Sequence, residues 1–372
     1  MDSFKYKQTK YFSFFVFMTA ASLLHGLIQR EAIDPTKTQV GYLILLLITC
    51  FIISDRKKLL LYVHGFVYAH VMMVIINIEK LGQARLGAFK ASYFLGDGND
   101  FAWSVNIALP LCLYLLFTSK SNVLKAVYAV SSAVLLLGII GTQSRGATLA
   151  LGAGFIYYFF FITKNKSKGL VILMIAAMGV VMVAPSNYFS RMETISSYEE
   201  DTSAMGRIRA WRTAAEMATD HPILGVGAGS FNSAYGRFYR RPDDPVRWIS
   251  THSVYFKILA EYSFLGVFVY LMIIFHNLKT NHKTSRILES RPDNPDNDAL
   301  WPLYLNWAII SCSVSAMFLS GVDYPHLFLL TGLTVAASMN VGRMSDDPRQ
   351  EQVNTLTPWE EFCNESDEKK SS

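Results

Sequence analysis

Cysteine chemistry is nearly absent from this chain. Of four cysteines, Cys50, Cys112 and Cys312 lie inside long apolar runs and Cys363 lies in a polar C-terminal stretch. No C-x-x-C pair exists, so neither a disulfide framework nor a cysteine metal site can be built. Charge is scarce too. Asp, Glu, Lys and Arg make up 17% of the residues against 51% hydrophobic ones, too little to dress a soluble domain of 372 residues. The net charge of +5 is spread over loops and calls for no nucleic-acid partner. His64 and His70 are not spaced i, i+4 as a helical metal pair would be, and they read as structural. The G-V-G-A-G of residues 225–229 lacks both the dinucleotide-binding spacing and a preceding strand, which excludes a nucleotide site there. No internal repeat is visible.

What the chain does have is apolar runs of about 15 to 24 residues, the length a helix needs to cross hydrocarbon at roughly 1.5 Å per residue. They predict ten spans, at about 11–29, 40–54, 59–78, 101–118, 124–141, 147–163, 169–185, 253–276, 300–320 and 324–341. The fold expected is an all-α polytopic membrane protein with one large outer loop. Lys5, Lys7 and Lys10 precede the first run, but no small-residue cleavage site follows Gly26, so this run reads as a retained helix rather than a signal peptide.

Orientation follows from the short connections. With the N-terminus inside, the inner ones hold fifteen Lys and Arg, from Lys5 to Arg291, whereas the outer ones hold six: Arg30, Lys37, Lys80, Arg85, Lys90 and Arg145. Both termini are therefore expected in the cytoplasm. Four regions result: a transmembrane bundle over 1–185, an outer loop over 186–252, a second bundle over 253–341, and a disordered cytoplasmic tail over 342–372.

A loop as long as 186–252 is uncommon unless it is functional. An acidic stretch from Glu193 to Asp201 leads into a helix expected over 205–219, capped by Ser203 and stopped at His221-Pro222. A glycine-rich bend, Ile223 to Phe231, and a basic, aromatic stretch, Tyr235 to Arg247, complete it. A second outer segment, 79–100, ends in F-L-G-D-G-N-D-F and is placed to fold over the end of the bundle.

All eight basic residues of the large loop are arginine: Arg191, Arg207, Arg209, Arg212, Arg237, Arg240, Arg241 and Arg247. A guanidinium is a planar fork matched to phosphate oxygens, whereas lysine is a hydrated point charge, so an arginine-only loop points to a diphosphate or an anionic glycan. Against this stands a plainer account, because eight acids in the same loop balance the eight arginines. Arg207 and Trp211, at i and i+4, share a helix face. Arg145, in G-T-Q-S-R-G-A, sits between two apolar runs, where a charge at mid-membrane costs about 2.5–3.5 kcal/mol. It either reaches the outer surface or lines a polar cavity. His252, in S-T-H-S-V-Y-F, stands where the loop re-enters the membrane, and a neutral imidazole is the side chain suited to take a proton from a hydroxyl near pH 7. A lone histidine there is more simply a loop carbonyl's partner. Its company of loop arginines, Tyr255 and Phe256 raises the functional reading. Glu261 lies half a helical turn away from His252 in projection and pairs more simply with Lys257 at i−4.

With these segments in view, the chain resembles the O-antigen ligase and polymerase superfamily from about Leu81 to Met339. The resemblance is carried by G-D-G-N-D-F-A at 96–102, S-R-G-A at 144–147, G-R-I-R-A-W at 206–211, H-P-I-L-G-V-G-A-G-S-F at 221–231 and H-S-V-Y-F at 252–256. It implies a C-type glycosyltransferase of the bacterial inner membrane, metal-independent, inverting and without cofactor, working at the periplasmic face. Such an enzyme moves a glycan from an undecaprenyl or other polyprenyl diphosphate carrier to an acceptor hydroxyl on lipid A core, a glycan repeat or a protein. It further implies that Arg145 and Arg207 bind the diphosphate and that His252 is the base or positioning group. Arg209, Trp211, Tyr255, Asp97 and Asp100, which stand in or beside the same segments, are the expected substrate contacts. The alternatives are a flippase or transporter for the same lipid-linked sugar, a protein O-oligosaccharyltransferase, or a structural member of an assembly complex.

Overall fold

The structure, a computed structural model, describes residues 2–80, 86, 95, 97–183, 202–242, 244, 249–291 and 298–346. The acidic stretch 193–201, most of 79–96, Arg191, Asp243, Arg247, Cys363 and the tail from 347 lie outside them.

Among the described residues the chain is helical, without strands. The helices are α1 (Lys7–His25), α2 (Ile33–Ile52), α3 (Arg56–Ile76), α4 (Gly98–Thr118), α5 (Asn122–Gly141), α6 (Arg145–Tyr157), α7 (Lys166–Val183), α8 (Thr202–Asp220), α9 (Val254–Glu289), α10 (Trp301–Ser315) and α11 (His326–Asp346). Among the described residues seven helical stretches are long and apolar enough to cross a membrane: 29–52, 56–76, 98–118, 122–141, 145–162, 254–289 and 298–318. The protein is thus a multi-pass membrane protein. Where the three other spans were expected stand the helices α1, α7 and α11, which are not among those seven.

Several helices start on side chains suited to the task. Asp55, Asp97, Ser121 and Ser144 each accept a hydrogen bond from a backbone N–H of the first turn of α3, α4, α5 and α6. In α8 the order differs from the one expected, because the helix begins at Thr202. Ser203 therefore lies inside its first turn instead of ahead of it.

Helix α4 is the centre of the bundle. It is buried along nearly its whole length, flanked by α3, α5, α6 and α10. Phe17, Leu24, Phe51, Val123 and Phe160 point outward instead, exposed apolar side chains that suit contact with lipid. Because lipid supplies no hydrophobic drive between helices, buried polar pairs tie them together. His70 Nε2 meets Ser104 Oγ at 2.6 Å and His64 Nε2 meets the Tyr128 hydroxyl at 2.8 Å, so both histidines have structural roles. Asn277 donates to Thr331 Oγ1 at 2.6 Å, and Asn281 donates to Asn306 at 2.8 Å and Thr334 at 3.2 Å. These bonds explain why α9 runs on to Glu289, well past the residue 276 expected from hydropathy. One face of its polar second half, with Asn277, Asn281, Thr284 and Ser285, is buried in the bundle.

The loop between α7 and α9 builds a small core of its own. Ala210, Ala214, Met217 and Ala218 put one fully buried face on α8, at i, i+4, i+7 and i+8. That face closes on Val226, Phe231, Tyr235, Ile249 and Ala260. Three alanines, with one methionine among them, let α8 pack closely against the start of α9.

Candidate active site at one end of the bundle

The glycine-rich bend is seated in a break in α9. At Ser263 the backbone leaves the helical region (φ 55°, ψ −160°), which frees the carbonyls of the preceding turn. Val226 N–H donates to Ala260 O at 2.9 Å and Gly227 N–H to Glu261 O at 3.1 Å. A Cβ on Gly225 (φ +68°) would stand 2.5 Å from Ala260 O, and one on Gly227 (φ +96°) 2.6 Å from Gly26 Cα at the end of α1. The glycines are needed for backbone-on-backbone packing, which accounts for the motif without a nucleotide. Beneath the bend, the buried Glu261 carboxylate accepts the Phe231 N–H at 3.3 Å, and the Lys257 ammonium meets Asp323 at 3.1 Å. The ion pair of Lys257 is thus with Asp323, in the connection between α10 and α11, and not the expected one with Glu261, whose carboxylate is taken up by the bend. Tyr42 donates to the Asp323 carbonyl at 2.8 Å.

This seating fixes where α8 presents its other residues. The Trp211 indole stacks on Phe256 with ring centroids 4.8 Å apart and 5° between planes, and its Nε1–H donates to Thr251 O at 2.8 Å. His252 follows directly, just before α9 starts, in a left-handed conformation (φ 45°). It is therefore outside the helix on which its spacing from Glu261 was counted. Although solvent reaches His252, the protein packed around it disfavours the imidazolium, and the Arg207 charge lowers its pKa further. The Asp97 carboxylate pulls the other way. His252 thus feels both Arg207 and Asp97, which come from two other segments.

Arg145 reaches the same end by another route. It opens α6, one residue after the Ser144 cap, and is half-buried. The α6 start is held by the Asn106 amide, which donates to Ala147 O at 3.2 Å, and by Phe318, whose Cβ stands 2.8 Å from where a Cβ on Gly146 would lie. Two residues beyond Phe318, the Ser320 hydroxyl meets Ser250 Oγ at 2.7 Å and Thr251 Oγ1 at 3.2 Å. The segment 318–324 therefore bridges the Arg145 corner to the strand of backbone that carries His252. Tyr324 closes the ring by donating to Asp100 at 2.7 Å.

Not every expected contact faces this centre. Arg209 is ion-paired with Asp244 at 2.9 Å, and Glu216 takes both Arg212, at 3.3 Å, and Arg241, at 2.5 Å. For these three arginines the plainer account, charge balance within the loop, describes what they do. The Tyr255 hydroxyl donates to Ser313 O at 2.9 Å, toward α10. Asp97 does bear on His252 while also capping α4, its carboxylate 2.7 Å from Asn99 N.

Ser320, Asp323, Tyr324 and the packing role of the glycines were not among the features expected from the sequence. A signal was present in G-V-D-Y-P-H at 321–326, where a very short connection between two apolar runs carries an acid, a phenol and a histidine.

A backbone feature gathers at the same place. Among the described residues the non-glycine positions with positive φ are Leu95 (65°), Gln143 (52°), His252 (45°) and Ser263 (55°). Leu95 and Gln143 each stand two residues before a site residue, Asp97 and Arg145. His252 is itself one, and Ser263 makes the seat for the glycine bend. Each costs about 1–3 kcal/mol, and such outliers cluster where a structure is held for function.

The protein is, on this evidence, a polytopic membrane protein with a polar centre assembled from helix starts and loops at one end of its bundle. Residues 130–271, from within α5 to within α9, match the family model described as O-Antigen ligase. That stretch contains Arg145, Arg207, Trp211 and His252, and the segments 97–100 and 318–324 lie outside it. The chain is 26% identical over 235 residues to the O-antigen ligase of Salmonella typhimurium, covering 58% of this chain and 54% of that protein. It is 23% identical over 338 residues to the teichuronic acid biosynthesis protein TuaE of Bacillus subtilis, covering 82% of this chain and 66% of that protein. The chain thus spans about half to two thirds of the length of these relatives.

Proposed function

We propose that the protein transfers a glycan from a polyprenyl diphosphate carrier, undecaprenyl diphosphate in a bacterial inner membrane, to an acceptor hydroxyl. The orientation is the one with both termini in the cytoplasm and ten spans, which puts the polar centre at the periplasmic face. The observation that supports this reading is Arg207 acting on His252 from a different segment, with the start of α6, where Arg145 stands, linked through segment 318–324 to the backbone that carries His252.

In the proposed metal-independent reaction the acceptor oxygen attacks the anomeric carbon from the face opposite the diphosphate. The bond from that carbon to the diphosphate oxygen breaks, and the carrier diphosphate leaves with the electron pair. His252 takes the acceptor's proton. Arg145 and Arg207 stabilise the charge that develops on the leaving diphosphate, with the α6 N-terminus adding its positive end beside Arg145. Asp97, near enough to His252 to affect its titration, orients the imidazole or the acceptor. Trp211 holds the backbone carrying His252, while Arg209 and Tyr255 shape the loop and its seat on the bundle. Asp100, bonded to Tyr324, borders the acceptor side.

The test is reconstitution in proteoliposomes with a polyprenyl-diphosphate glycan and an acceptor, following covalent product. Wild-type protein should form it and His252→Ala should not. Full transfer by His252→Ala would remove the proposed base, and glycan crossing the bilayer with no covalent product in the wild type would favour a flippase.

A further inference from the structure

The opposite end of the bundle holds a second charged feature that the transfer reaction does not use. A cavity of about 460 Å³ opens there between the start of α1, the second half of α9 and the end of α11. Its lining includes Lys5, Lys7, His276, Lys279, Thr280 and Lys283 and no acidic side chain. The α9 contribution is ordered: 276, 279, 280 and 283 fall at i, i+3, i+4 and i+7, so one helix face supplies the imidazole, both ammonium groups and a hydroxyl. Lys279 and Lys283 are like charges at i, i+4, an arrangement that destabilises a helix unless something offsets it. Lys5 has an exposed partner in Asp2 at 2.8 Å, yet that carboxylate does not line the cavity.

Lysines at this end also serve orientation, for which dispersed exposure on the loops is enough. Orientation does not call for four of them around one hollow. Nor is the chemistry that of the loop end, where arginine forks dominate. Lysines are mobile point charges, able to follow a phosphate group presented in several rotational states. Directly up α1 and α9 from this cavity, Phe14, Phe17, Leu271 and Phe275 are exposed apolar side chains. A phosphate seated in the cavity thus has a lipid-facing surface beside it.

We propose that this cavity binds a phosphate-bearing anion, with the phosphodiester of an anionic phospholipid as the source that the neighbouring apolar surface favours and free phosphate as the other. The site is separate from the transfer centre and does not depend on the function assigned there.

The experiment uses the full chain in neutral detergent and follows its thermal unfolding. It is titrated with dioleoyl phosphatidylglycerol in mixed micelles, with dioleoyl phosphatidylcholine, and with inorganic phosphate at constant ionic strength. A saturable rise in Tm with phosphatidylglycerol, and little with phosphatidylcholine, is the expected result. A rise with inorganic phosphate alone identifies the soluble anion as the source and still supports the cavity. Lys279→Gln/Lys283→Gln should weaken apparent affinity roughly 30-fold at low salt, from about 1 kcal/mol per lysine. Lys125→Gln/Lys168→Gln, which removes the same charge elsewhere, should leave it unchanged. If the α9 pair does not fold, Lys5→Gln/Lys7→Gln reads the same cavity from α1. No saturable shift with either anion, or equal shifts in the cavity and control variants, overturns the proposal.

Discussion

His252 stays neutral further into acid than a free imidazole does, because the packed protein and the Arg207 charge both oppose its protonation while Asp97 favours it. If the neutral ring is the working form, the rate is on its plateau above the lowered pKa and falls as pH drops through it, at a pH below the ordinary value of about 6.5. The neighbours give the sign of two shifts. Arg207→Gln removes a charge that opposes protonation, so the acid limb of its residual activity should move to higher pH. Asp97→Asn removes one that favours protonation, so the limb should move lower. Normalised pH–rate profiles check both, and an acid limb that moves in neither variant would mean another group titrates. Arginines separate in the same way. Arg207→Lys should cost about 100-fold in kcat/KM, since a point charge cannot copy a two-pronged grip on a diphosphate. Arg209→Lys should cost only a few-fold, because Arg209 is committed to Asp244. Equal losses in the two variants would contradict the division of labour.

At the scale of elements, the site depends on a helix break and the loop that fills it. Gly225→Ala puts a methyl 2.5 Å from Ala260 O at a φ that alanine rarely adopts. It should lower stability by about 2 kcal/mol or more and reduce transfer by displacing α8. Thermal unfolding in detergent measures the first effect and the proteoliposome assay the second. An unchanged Tm would mean the bend is not clamped into α9. Trp211→Phe keeps a ring over Phe256 and loses the bond to Thr251, so transfer should fall less than in Trp211→Ala, which loses both. Measured kcat values for the pair decide whether Trp211 acts by holding the His252 backbone. Much of this level was legible in the sequence: the apolar runs at 59–78, 101–118 and 124–141 became α3, α4 and α5 with no end moved by more than three residues. The break at Ser263 was not, because A-E-Y-S-F-L-G carries no proline and its glycine stands three residues further on. Glycines 225–229 announced a bend but not its partner, since close backbone packing is a property of both segments. The reach of α9 was hidden for a related reason. Asn277, Asn281 and Thr284 look like loop residues to hydropathy, although each is buried in the bundle.

At the scale of the whole molecule, the two ends of the bundle have different chemistries. One gathers Arg145, Arg207, His252, Asp97 and the Asp323 network, and the other gathers lysines around a cavity. Which residues would gather at the first end was legible as motifs, each short, in a fixed order along the chain. How they meet was not, because the bridge runs through Ser320 and Tyr324, residues from a three-residue gap between expected spans and its margin. The central claim is that Arg145 and Arg207, from α6 and α8, act on one diphosphate. A double-mutant cycle on kcat/KM for covalent transfer tests it most directly, with Arg145→Ala, Arg207→Ala and both together. The account predicts strong coupling, the double variant being at least about tenfold more active than the product of the two single losses. Strictly multiplicative losses, or a wild-type rate in either single variant, would contradict it.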